Sequence, residues 1–319
     1  MVTSVRREYR SRRFLSVTSS EIVHSARSRL GPVGVWLGVL GRAPIDEERQ
    51  AARRIEALGY GSIWTPEGIG GKEAFAHQAV LLAATQRIVT GTGIANVWAR
   101  HPATMQGGAS TLGAAYPGRF ILGVGISHAP AVERSGQTYE KPLQHMVRYL
   151  DAMDAAAETA PATEVPVPRI LAALRPNMLA LARDRADGAH PYFVPVAHTP
   201  IARAALGPDK LLIPEQAVVV NTDPDDARRI ARDHMRGYLQ LPNYVNNLKY
   251  LGYTDDDLSA GGNDRLVDAI VAWGDAADIA RRVREHLDGG ADHALLQPLG
   301  DLNAALRQLE NLAPVVLGK

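Results

Sequence analysis

The stretch RIVTGTGIANVWARHPATMQGGASTLGAAYPGRFILGVG, residues 87–125, decides the fold. Its opening residues 87–95 read as a strand, because Ile88, Val89 and Thr90 are β-branched and fit a pleated, half-buried surface. Pro102 then starts a helical segment, residues 102–115, with Met105, Ala109 and Leu112 spaced to share one face. The turn Tyr116-Pro117-Gly118-Arg119 stops it, and the apolar run Phe120-Ile121-Leu122 begins another strand. A strand, a helix and a strand at these lengths make a crossover unit between parallel neighbours. Gly91 and Gly93 are out of place in the first strand, where glycine packs nothing and costs conformational entropy. Something other than stability is expected to explain them.

The same rhythm extends in both directions. Further strands are expected over residues 33–40, 61–65, 120–125, 168–173, 188–193, 211–220 and 294–298. Between them lie segments of helical period at 44–58 (closed by Gly59), 73–84, 142–158 and 178–185, and one beginning at Pro224 behind the capping residue Asp223. Eight strands joined by helices predict an α/β fold, a (β/α)8 TIM barrel over residues 31–319, with an insertion at 240–265 before the last strand. The rival is an open doubly wound sheet, which normally carries G-x-G-x-x-G between its first strand and helix. Here that junction reads GVLGRAP, and no G-x-x-x-x-G-K-[ST] phosphate loop is present.

Composition narrows the function. The 319-residue chain is 46% apolar and 22% charged, enough to bury a large core. Its 35 Lys and Arg against 34 Asp and Glu supply no general attraction for nucleic acid or an anionic membrane. No apolar run approaches the ~20 residues of a spanning helix. The absence of cysteine excludes disulfides, thiolate nucleophiles and cysteine-type zinc sites, and a reducing cytoplasm is the expected setting. Redox chemistry would then belong to a cofactor. The histidines show no metal-ligand spacing. Residues 1–30, rich in Arg and Ser without a secretory apolar core, are expected to form a mobile extension.

In such barrels the chemistry sits where the strands end and the following loops converge. The third strand ends in Gly91, Thr92, Gly93, Ile94, Ala95 and Asn96, whose bare backbone would let a flat ring lie against it; a bulge that merely lets the barrel close explains the same residues equally well. The second strand ends in Trp64-Thr65-Pro66-Glu67, bringing an aromatic plane and a carboxylate to the rim, although plain packing is the commoner fate of such a tryptophan. The fourth ends in Gly125-Ile126-Ser127-His128 and the fifth in Ala173-Leu174-Arg175-Pro176-Asn177-Met178, where a helix start and a fixed charge suit a phosphate. Together these predict a planar phosphorylated cofactor. His101, just before Pro102, is either a helix cap or a functional imidazole sharing the mouth with Asn96. The insertion is long for a barrel connection, and its Tyr244, Asn247 and Tyr250 are expected to wall a substrate pocket.

The 87–125 run, with SIWTPEG and ALRPNMLALARDRADGA, resembles the luciferase-like monooxygenase superfamily over essentially residues 31–300. RADGAHPYFVPVAHT is similar to the actinobacterial branch of oxidoreductases dependent on coenzyme F420, a deazaflavin hydride carrier; relatives otherwise use FMN. The resemblance implies a non-prolyl cis peptide at Gly93-Ile94 backing the ring, with Asn96, Gly125 and Ser127 near the ring or its ribityl chain. It also implies a phosphate turn at Arg175, Pro176, Asn177 and Met178 and a strand-six contact at His190. Trp64, Thr92 and Ala173 complete the expected cofactor contacts, and bulk at Gly93 is expected to abolish cofactor binding with the fold intact.

Two departures stand out. Gly68 occupies the place where many members carry histidine directly after the strand-two acid, leaving Glu67 or His101 as the proton-handling candidates. Arg175 stands where relatives commonly have glycine. The implied activity is hydride transfer between F420 and a small organic substrate by a homodimer. An FMN-dependent monooxygenase or a non-catalytic flavin carrier are alternatives, and a sugar-phosphate aldolase is disfavoured because no lysine ends an inner strand.

Overall fold

Parallel strands walled by helices outside and packed side chains inside must be apolar on both faces. In the computed structural model, which describes residues 18–318, every residue of β1 (Val33–Trp36), β2 (Ser62–Thr65), β3 (Val89–Thr92) and β5 (Phe120–Gly125) is accordingly buried. The others are β4 (Ala95–Asn96), β6 (Arg169–Leu171), β7 (Gly188–Ala189), β8 (Leu211–Leu212), β9 (Glu215–Val220), β10 (Val271–Gly274) and β11 (Ala294–Pro298). Parallel pairing runs from β11 through β1, β2, β3, β5, β6 and β7 to β8, and β9 pairs with β11. The 211–220 run closes the ring, because the Ile213 N–H donates to the Ala189 carbonyl and the Leu295 N–H to the Pro214 carbonyl, each at 2.9 Å.

All eight expected strands form, within narrower bounds, and the barrel stands. Three details raise the total to eleven. The seventh strand is divided at Pro214, which has no N–H to give a ladder. The third is divided into β3 and β4 around Gly93-Ile94. The unanticipated β10 extends the outer side of β9. The helix Ile45–Leu58 ends on Gly59 at φ 94°, and Pro224–Tyr238 is capped by the Asp223 carboxylate, which accepts from the Asp225 and Asp226 N–H groups. The insertion folds as Pro242–Tyr250, Asp255–Leu258 and Asp264–Ile270 before β10.

One expectation is corrected at the N-terminus. Residues 1–17 of the expected mobile extension lie outside the described residues, but Ser19–Leu30 is a helix, opened by a reciprocal capping box between Thr18 and Glu21. Its buried face, Val23, Ala26 and Leu30, packs into the barrel interior with Val89, Ile121, Ile170, Leu211 and Leu295. The helix therefore stoppers the end where the strands begin. Arg27 ties it to Asp292 at 2.7 Å, and Ser19 donates to Asp187 at 2.8 Å. Among the described residues no helix is long and apolar enough to cross a membrane.

Candidate functional site

The interior column rises from that stopper to Trp36 and Trp64, and these two side chains answer the question of the strand glycines. A methyl on Gly91 would stand 2.6 Å from the Trp64 ring, and one on Gly93 would stand 2.6 Å from Trp36 Nε1. Trp36 Nε1 also donates to the Gly93 carbonyl at 2.9 Å. Neighbouring strands fill the glycine gaps from inside, so close packing accounts for both residues. The Gly93-Ile94 peptide is cis. Gly93 N–H donates to Thr65 O (2.8 Å), and Ile94 O accepts from Glu67 N–H (3.1 Å). Bulk at Gly93 would meet a buried indole, so it is expected to cost stability and not cofactor contact alone.

Several candidate residues prove to be built into the frame. Trp64 is fully buried, donates to Ser62 Oγ at 3.0 Å and does not reach the rim. Thr92 stitches β3 to β5, its hydroxyl donating to Gly123 O (2.7 Å) and accepting from Gly123 N–H (2.9 Å). Asn96 is buried, its side-chain oxygen accepting from Trp98 N–H in a local turn. His190 is buried too, with Nδ1 2.7 Å from Ile213 O, and burial pushes its pKa down to about 4. Ala173 is likewise buried, and Gly125 pairs with Asn96 beside the Ile94 side chain.

Both proton-handling candidates make structural contacts, and neither lines the large pocket at the ends of β5 and β6. Glu67 forms a two-point, nearly buried ion pair with Arg100 and accepts from the N–H groups of Ala74 (3.1 Å) and Asn96 (2.8 Å). Its oxygens are committed to holding the loop after β2 against the bulge. His101 is exposed and caps Pro102–Ala115, accepting from Ala103 N–H at 3.2 Å.

The barrel's centre is roofed by aromatic rings. Tyr192 lies 5.0 Å from Trp36, its hydroxyl 2.7 Å from that of Tyr238 and donating to Gln297 at 2.9 Å. Phe193 and Tyr244 complete the cluster. Beneath it Glu215 accepts from Phe193 N–H at 3.1 Å, and burial raises its pKa to about 8.

Beside this roof, at the C-terminal ends of β5 and β6, opens a pocket of about 540 Å³. The loop after β5 contributes Ile126, His128 and Tyr139, and the turn after β6 contributes residues 174–178. The insertion closes the third side with Leu241, Asn243, Asn246 and Tyr250. Of the expected wall residues, Tyr250 lines the pocket. Tyr244 instead joins the aromatic roof, and Asn247 is buried with neither side-chain polar atom partnered. A second cavity of about 550 Å³ lies by the Ser19–Leu30 helix, at the end of the barrel that serves stability.

The structure brings Arg175, Pro176, Asn177 and Met178 together in the first pocket, with Ser127 between two of its lining residues and held at φ 59°. The Arg175 guanidinium has no ion pair or hydrogen bond among the described residues. Pro176 has no N–H, and the Met178 N–H turns back to Arg175 O at 3.1 Å, so an anion here would depend on the guanidinium and on Asn177. His198, set aside in the sequence as a metal ligand and not named as a site residue, holds the turn, Nε2 lying 2.6 Å from Leu174 O. His128 was also missed as a site residue; its position three residues beyond the strand-end Gly125, in the loop after β5, was the available signal. Among the described residues no Asp or Glu lines the pocket.

Comparison with known proteins agrees with this architecture. A solved F420-dependent secondary alcohol dehydrogenase, in complex with an F420-acetone adduct, superposes with a TM-score of 0.71 at 16% identity, covering 90% of this chain and 99% of that one. The oxygenating constituent of the 3,6-diketocamphane monooxygenase of Pseudomonas putida, in complex with FMN, gives 0.66 at 14% identity, covering 91% and 98%. In sequence, a protein of Mycobacterium tuberculosis assigned by name to the coenzyme F420-dependent oxidoreductases is 32% identical over 120 residues, 37% of this chain and 34% of that one. The chain spans between 31% and 61% of the length of the curated relatives it matches. Residues 23–293 match the luciferase-like monooxygenase family, and the chain belongs to it.

Proposed function

We propose that the chain is an oxidoreductase that transfers hydride between coenzyme F420 and a small organic substrate held in the pocket beside β5 and β6. The observation that carries this reading is Arg175, whose guanidinium at a helix start has no ion pair or hydrogen bond among the described residues, in a pocket where no described carboxylate lies. A phosphorylated aromatic group fits that pattern: Arg175 and Asn177 would hold the phosphate, and Ile126, Leu174 and Met178 would flank the ring. The space directly inside Gly93 belongs to Trp36 and is not part of the proposed slot. When bound, the deazaflavin supplies the hydride carrier. The chain's own residues orient the two reactants and exclude water. The names of the curated relatives and the likeness of residues 185–199 to the F420 branch favour F420 over FMN. The lining favours neutral or anionic substrates over cations.

Purified protein titrated in parallel with F420 and FMN, read by visible absorbance, tests this. The expected result is stoichiometric F420 binding, weaker FMN binding, and roughly tenfold weaker F420 binding by Arg175→Ala, the loss of one charge-assisted contact of about 1.5 kcal/mol. Tighter binding of FMN would transfer the reading to that cofactor, and binding of neither would end it.

A further inference from the structure

Glu67 is ion-paired with Arg100, His101 caps a helix and Gly68 follows the strand-two acid, and none of the three lines the pocket of the proposed reaction. His128 has the required geometry. It lines the pocket at the end of β5, and its Nδ1 lies 3.1 Å from Asn243 Oδ1. An amide oxygen only accepts, so Nδ1 carries the hydrogen and Nε2 keeps its lone pair. Nε2 has no hydrogen-bond partner among the described residues. The Tyr244 ring packs beside the imidazole, centroids 5.2 Å apart. One helix, Pro242–Tyr250, thus supplies both the bond and the wall that fix the ring's direction.

The charged and titratable groups around it are Tyr139, Arg175, Tyr244 and Tyr250. No carboxylate lines the pocket among the described residues; burial holds the ring's pKa below its ordinary value, and the bond to Asn243 opposes this only in part. The imidazole is therefore neutral at pH 7, ready to take a proton.

Resting on the F420 reading, we infer that His128 is the catalytic acid–base of this pocket and Asn243 its positioning residue, with an alcohol or the matching carbonyl compound, whose O–H proton Nε2 can exchange, as substrate class. In alcohol oxidation the C–H bond would break with its electron pair, the hydride acceptor being what the bound deazaflavin would supply. The O–H bond breaks, its electrons form the carbonyl π bond, and its proton goes to Nε2. In carbonyl reduction the imidazolium returns that proton to oxygen as hydride arrives at carbon. The insertion thereby acts on the chemistry through the tautomer it selects.

Full-length protein carrying 15N-histidine reads the tautomer from the ring-nitrogen shifts, with His128→Gln assigning the signal. The expected result is protonated Nδ1 and bare Nε2 at pH 7, with a midpoint below 6.5. Asn243→Ala removes an acceptor that favours the charged ring, so it mixes the tautomers and lowers the midpoint further. In F420-loaded enzyme, with propan-2-ol and cyclohexanol as probes, His128→Gln keeps F420 affinity within about threefold. It loses about 10²-fold in turnover together with the acid limb of the pH profile, which Asn243→Ala shifts to lower pH. An Nε2–H tautomer, turnover unaffected by His128→Gln, or F420 binding without turnover of either probe overturns the inference alone. Failure of the wild-type chain to bind F420 overturns the functional reading and this inference with it.

Discussion

Gly93→Ala puts a methyl carbon 2.6 Å from Trp36 Nε1 and 2.9 Å from its Cδ1. The indole has little room to retreat, being 6% exposed with Tyr192 at 5.0 Å. Two costs follow. Overpacking a filled core costs about 1–3 kcal/mol. Displacing Trp36 also breaks its 2.9 Å bond to the Gly93 carbonyl, and a buried donor left unpaired costs about 1–3 kcal/mol more. Their total is about 2–6 kcal/mol, which at about 2 °C per kcal/mol for a long chain lowers the melting temperature by roughly 4–12 °C. Thermal unfolding of the wild type, Gly93→Ala, Trp36→Phe and the double variant forms a cycle. Phenylalanine lacks the pyrrole atoms that collide, so the double variant is expected to be about 1 kcal/mol or more stabler than the two single losses combined. Gly93→Ala melting with the wild type while losing only cofactor affinity would refute the packing explanation and return the glycine to a ring-contact role.

Other outcomes follow from the same contacts. Glu67→Ala leaves the buried Arg100 guanidinium with Glu73 alone, and a loss of about 3 kcal/mol is expected in urea unfolding; turnover whose pH midpoint depends on Glu67 would contradict its structural assignment. The folded-state pKa of Glu215 is raised from 4.5 to about 8, so between those values the unfolded carboxyl is ionised while the folded one keeps its proton, and stability falls as pH rises through that window. Glu215→Gln is expected to gain melting temperature relative to the wild type at pH 8 but not at pH 4, and equal gains at both would show that the carboxyl is ionised in the fold.

What the sequence reveals here depends on how local each cause is. A strand buried on both faces announces itself as a β-branched run, and the barrel could be read because each run is bounded by its own turn residues. The Ser19–Leu30 helix had a local signal as well, Thr18 and Glu21 in capping-box spacing with Val23, Ala26 and Leu30 on one face, but the arginines around it suggested a solvated tail. The cause of Gly93 is not local. Periodicity gives the direction in which a side chain would point, whereas the occupant of that space, Trp36, comes from another strand. Glu67 repeats the lesson: strand-end position suggested chemistry, and only the fold shows Arg100 and two N–H donors occupying both oxygens. The turn at residues 174–178 was legible because a helix start, a proline and an arginine are consecutive. The Asn243 partner of His128 could not be found without the path of the insertion.

A crystal structure of the protein with F420 bound most directly tests where the cofactor lies. The account predicts the phosphate within hydrogen-bonding distance of Arg175 and the ring between Ile126 and Leu174, with Trp36 still filling the space inside Gly93. A ring stacked inside Gly93 with Trp36 displaced, or a phosphate held away from Arg175, would contradict it.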